Sequence, residues 1–71
     1  MTKAGRQMKQ QPIWTGAGVV FRTVRHITEW DGRTVGVVRN NYGAEGVVQL
    51  TGSGRWDYLE GVHVWDIRGE R

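Results

Sequence analysis

From Ile13 onward the apolar residues do not recur at the three-to-four-residue interval of an amphipathic helix. They arrive as short β-branched runs, each opened by a glycine: Gly18-Val19-Val20, Gly36-Val37-Val38, Gly46-Val47-Val48 and Gly61-Val62-His63-Val64. Valine suits a pleated strand and glycine relieves the turn before it, so each run marks a strand start. The intervals are uneven, which excludes a solenoid repeat. Strands are predicted near 18–28, 33–40, 46–51, 55–59 and 62–67. Turns are predicted at Asp31-Gly32, Asn40 to Ala44, Gly52 to Gly54 and Glu60-Gly61. The Asp-Gly pair between two strand-like runs is the strongest of these, a tight hairpin signal.

Alternation along the last strand sets Val62 and Val64 on one face and His63 and Trp65 on the other. With the valines filling the interior, His63 and Trp65 point outward, and an outward His–Trp pair calls for an interface or a ligand. Before Ile13 the pattern is different. Met1 to Pro12 is polar, rich in Gln and Lys and without periodicity, so residues 1–12 are predicted to be a disordered tail ahead of one domain, 13–71. Short strands joined by Gly-rich turns in so short a chain imply an all-β domain, small and strongly bent. A five-stranded Src-homology-3-like barrel fits best; the five-stranded oligonucleotide-binding barrel normally needs a longer chain.

Composition narrows the chemistry. A 71-residue chain is a single small domain whose lone core is marginal. It has no cysteine, hence no disulfide and no thiolate metal site, and its two histidines, His26 and His63, are too few for a typical zinc site. Association into a homo-oligomer is the expected remaining source of stability. The longest uncharged run, Gln10 to Phe21, is too short and too mixed to span a bilayer, so a soluble, cytoplasmic protein with no membrane partner is expected. The net charge of +3 comes wholly from Lys3, Arg6 and Lys9; beyond residue 12, seven arginines balance seven acids. A nucleic-acid binder usually carries its basic excess on the folded body, which argues against that class.

Gly16-Ala17-Gly18 and Gly52-Ser53-Gly54 lack the spacing and the following helix of a phosphate loop. No nucleophile–base–acid set is visible within one subunit. The four tryptophans, Trp14, Trp30, Trp56 and Trp65, read mainly as packing residues, with Trp65 the best candidate for stacking on a planar ligand. Arginine is the only cation of the body, and Arg22, Arg25 and Arg33, on or beside the first hairpin, are placed to face a shared anion.

One family matches these features. Trp30, Gly32, Val35, Gly36, Asn41, Glu45 and Gly46 meet without a gap the pattern W-x-G-x-x-V-G, four residues, N, three residues, E-G. In this the chain resembles the plasmid-borne type B dihydrofolate reductases, which are trimethoprim-insensitive Src-homology-3-like barrels. The family's V-Q-I-Y strand is similar to Val62-His63-Val64-Trp65, with His63 for the glutamine, Val64 for the isoleucine and Trp65 for the tyrosine. The polar tail is similar too. The resemblance covers about half the chain. It implies a homotetramer around one central pore, where NADPH and dihydrofolate enter from opposite ends and stack. On that reading His63 and Trp65 stand at the catalytic positions. Val62 and Val64, with Arg22 or Arg25 as the basic residue, bind the cofactor. Catalysis would rest on positioning the hydride donor and acceptor.

Two other readings stand beside this oxidoreductase. One is a non-enzymatic barrel that binds a protein partner, such as an accessory or inhibitor protein of a mobile element, through the Gly52 to Glu60 loop and Trp56-Asp57-Tyr58. The other is a nucleic-acid-binding barrel that uses the basic tail and exposed aromatics.

Overall fold

The computed structural model describes residues 10–69, which form six strands and one short helix. The strands are β1 (Gln10–Thr15), β2 (Gly18–Thr23), β3 (Arg25–Trp30), β4 (Arg33–Arg39), β5 (Glu45–Leu50) and β6 (Trp56–Leu59); the helix, α1, is Val64–Arg68. One sheet holds all six in the order β2-β1-β6-β5-β4-β3. Neighbours are antiparallel except β1 and β6, which run parallel through Ile13↔Trp56 and Trp14↔Asp57. The all-β class agrees with the sequence. The closed five-stranded barrel does not: this is an open six-stranded sheet with β2 and β3 as its edges.

The reason lies in the valine pairs. In β4 and β5 successive side chains go to opposite faces, and here both faces are buried. Val38 and Val48 join Ile13, Val24 and Trp56 on one side. Val35, Val37 and Val47 join Ile67 on the other, with Trp30, Leu59, Val62 and Val64 packed around them. Two small cores thus share one layer of backbone, and α1 covers the second. The glycine-led runs do mark strand starts at Gly18 and, within one residue, at Gly46, but Gly36-Val37-Val38 lies inside β4. The valines of β4 and β5 reflect strands buried on both faces rather than around one interior. Gly36 shows this directly, since it lies in the middle of β4 and a Cβ there would collide with the Val24 side chain.

Three further expectations are corrected. Gln10, Gln11 and Pro12 are not tail but the first half of β1, paired with Thr23, Arg22 and Phe21 of β2; the rest of the expected tail lies outside the described residues. Pro12 is accommodated because the two-residue Gly16-Ala17 turn makes Thr15–Gly18 the closing pair, and alternation then puts Pro12, which has no N–H, at a non-hydrogen-bonded position opposite Phe21. The predicted strand 18–28 is two strands parted at buried Val24. β2 pairs with β1 and β3 with β4, and a bulge between Arg25 and Thr28 carries His26 at a φ of 52°. The predicted strand 62–67 is extended only as far as His63 and then turns into α1. Asp66 accepts the His63 N–H at 3.0 Å, and Gly69, at a φ of 78°, donates to the Trp65 carbonyl at 2.9 Å. These are helix start and stop signals, and they override the alternation of valines.

The predicted turns are present. Asp31 and Gly32 both have positive φ, 52° and 75°, as a tight hairpin of the primed kind requires. Among the described residues no helix is long and apolar enough to cross a membrane.

Candidate ligand cleft

Where β2 passes into β3, the side chains of Arg22, Arg25 and Arg39 line one open cleft together with Gln10, Asn40 and Asn41. Arg22 is near the end of β2, Arg25 opens β3 and Arg39 closes β4, so the corner at Val24 gathers residues distant in sequence. Among the described residues no carboxylate lines this cleft. Arg22 donates to the Phe21 carbonyl at 3.0 Å, and among the described residues neither Arg22 nor Arg25 forms an ion pair. Arg39 is held by Glu45 at 3.2 Å, which orients it and leaves further guanidinium donors. Three forks on one wall, with amide side chains between them, suit a phosphate or carboxylate.

The Asn40 to Ala44 turn forms the rim. Asn40 Oδ1 accepts the N–H groups of Tyr42 at 2.8 Å and Ala44 at 3.0 Å, while the Asn40 and Ala44 backbones bond at 2.9 Å. This organised turn displays Tyr42, which is 94% exposed. Tyr42 follows Asn41 of the cleft lining but does not itself line the cleft, and its ring is free to stack on a planar group.

The cleft adjoins a second cavity of about 190 Å³, with Arg22 and Asn40 in both walls. Ile13, Val20, Val38 and Tyr58 supply its apolar surface. A Cβ at Gly46 would sit 2.7 Å from the Tyr58 ring, so the outer end of that half-exposed side chain would have to shift.

The sequence-derived site residues separate into two places. Arg22 and Arg25 come together as expected, but Arg33 is elsewhere, donating to Gln49 Oε1 at 3.2 Å, and Arg39 takes its place. His63 and Trp65 do point outward, stacked with ring centroids 4.5 Å apart at 15°. Helix geometry rather than strand alternation puts them there. Val62 and Val64 are half-buried against the second core, and the cavity they line with His63 shares no residue with the arginine cleft. Trp56 is a core residue, in keeping with its reading as a packing tryptophan and not with the anchor of the protein-binding alternative, whereas Tyr58 is 44% exposed. Trp14 is exposed under a cation–π contact with Arg55, itself paired with Asp57 at 2.8 Å. Sequence reasoning missed Tyr42, Arg39 and Asn40. The available signal was an Asn-Asn-Tyr-Gly loop whose one aromatic has no core to enter.

Among the described residues no group of His, Cys, Asp and Glu is placed to hold a metal ion. Comparison with protein-family models, with curated proteins and with solved structures found no match to this chain.

Proposed function

We propose that this chain is a binding module for single-stranded nucleic acid, which seats backbone phosphates in the Arg22–Arg25–Arg39 cleft and stacks a base on Tyr42. The observation that carries the reading is a cleft lined by three arginines and, among the described residues, by no carboxylate, next to a turn with a fully exposed tyrosine. The folded body is neutral in sum, but its charges are sorted: Glu45 is tied to Arg39 and Arg68 and Asp57 to Arg55, while Arg22 and Arg25 face the opening. The cleft wall begins at Gln10, which follows directly on the segment holding Lys3, Arg6 and Lys9. Phosphate contacts supply affinity that falls with salt, and stacking adds sequence-tolerant binding.

The test is fluorescence anisotropy of a labelled oligothymidylate across a salt series, with a duplex of equal length as competitor. Binding that weakens with salt and is lost in the Arg22→Ala/Arg25→Ala protein supports the reading. Undiminished binding by that double variant, shown folded by circular dichroism, would falsify it.

The reductase reading draws support from the same pair, since adjacent arginines also suit the phosphates of NADPH. Its pore strand, however, corresponds here to a helix start at His63. NADPH oxidation by the full chain with dihydrofolate, compared with His63→Ala and Trp65→Ala, decides it; no turnover by folded wild type removes the enzyme.

A further inference from the structure

We propose that the free edge of β2 is a self-association surface, along which two copies of this chain pair antiparallel about Val20. The open sheet leaves two edges, and only one is guarded. β3 carries Arg25, Glu29 and the bulge between Arg25 and Thr28, features that keep an edge from pairing with another chain. Between Gly18 and Phe21, β2 has none of them. It pairs with β1 through six consecutive residues without a bulge, and its Val19, Val20 and Phe21 are all exposed, Phe21 by 57%.

The register follows from the hairpin. Its closing pair, Thr15–Gly18, turns the backbone N–H and C=O of Val20 toward β1 and those of Val19 and Phe21 toward the open edge. Among the described residues these outward groups have one partner, the Arg22 guanidinium on the Phe21 carbonyl, and that oxygen has a second lone pair to offer. With two copies set antiparallel about Val20, Val19 of each exchanges hydrogen bonds with Phe21 of the other. The side chains then match: valine meets phenylalanine on one face, and Val20 meets its counterpart on the other. Arg22 comes opposite Gly18, so no like charges meet. Moving the centre to Phe21 would set Arg22 against Val20 instead. This self-complementarity about one residue selects a second copy as the occupant. Three apolar side chains from each copy fall well short of a standard interface of about 1,200 Å² or more, so the dimer is a weak one.

Sedimentation equilibrium on the full chain, without nucleic acid, follows the mass over a concentration series reaching about 1 mM. The mass should rise from one chain toward two for wild type and stay at one for Val20→Lys, shown folded by circular dichroism. The chain has no cysteine, so single-cysteine variants report the register. In the proposed pairing the two Val20 Cα atoms stand about 4.5 Å apart, within disulfide range, so Val20→Cys should form a covalent dimer on mild oxidation. Ile27→Cys, exposed on the guarded edge, should not. The proposal is overturned by wild type that stays monomeric throughout, by association that survives Val20→Lys, or by Val20→Cys that cross-links no better than Ile27→Cys.

Discussion

Glu45 accepts a hydrogen bond from Arg39 at 3.2 Å across the last register pair of β4 and β5. The same Oε2 atom takes Arg68 of α1 at 3.3 Å, so one carboxylate joins the sheet to the helix and fixes one wall of the cleft. The Arg39 hydrogen bond, helped by the Arg68 charge and only partly opposed by desolvation, holds the Glu45 carboxyl below its ordinary value.

A carboxylate whose folded-state pKa is depressed contributes stability above its unfolded pKa and loses it as pH falls through the folded one. Thermal unfolding of wild type should therefore be insensitive to this group near neutrality and weaken as the solution is acidified below the ordinary carboxylate range. Glu45→Gln should lack that part of the acid sensitivity. Superimposable pH profiles for the two proteins would show that the pair contributes nothing.

Gly46 is the second point of leverage. A methyl group there meets the outer end of the half-exposed Tyr58 side chain, so Gly46→Ala should cost about 1 kcal/mol, the low end of overpacking. Urea unfolding measures the loss, and adding Tyr58→Ala should recover much of it. Strict additivity of the two changes would mean that the ring is not the obstacle.

Tyr42 and Arg22 should fail in different ways. Tyr42 is almost wholly exposed, so Tyr42→Ala should leave the melting temperature in place and weaken oligonucleotide binding by about 1–3 kcal/mol, with the salt dependence unaltered. Arg22→Ala should instead lower the salt slope by about 1, the signature of one lost phosphate contact. A salt-titration series on the two variants separates the outcomes, and identical behaviour would contradict the division of roles.

Asp66 tests the end of the chain. Its carboxylate accepts the His63 N–H, so Asp66→Ala should destabilise the fold by about 1 kcal/mol through loss of the helix cap. Oligonucleotide affinity should fall with it, because Arg68 of α1 shares Glu45 Oε2 with Arg39 of the cleft. Unchanged binding would mean that the Glu45 link does not couple the helix to the cleft.

Local chemistry was legible wherever the deciding contacts are near in sequence. The Asp31-Gly32 hairpin, the Asn40 to Ala44 turn and the strands around Val37 and Val47 need only their own residues, because turn geometry and β-branching are local properties. The pairing of Arg22 with Arg25 was legible for the same reason. Gln10 to Pro12 looked like linker because nothing within them favours a strand; they become one only when β2 supplies partners. Val62 to Ile67 looked like a strand because alternating valines suit one, and Asp66 and Gly69 decided otherwise.

Tertiary structure alone determined the rest. Whether a valine pair feeds one core or two depends on what covers each face of the sheet, and here α1 and Ile67 cover the second. Whether six strands close into a barrel depends on long-range pairing, which composition does not encode. The cleft exists only because the bend at Val24 brings Arg39 and Asn40 of β4's end beside Arg22 and Arg25. Residue types told which chemistry was available, and the packing of distant segments chose which of those groups meet.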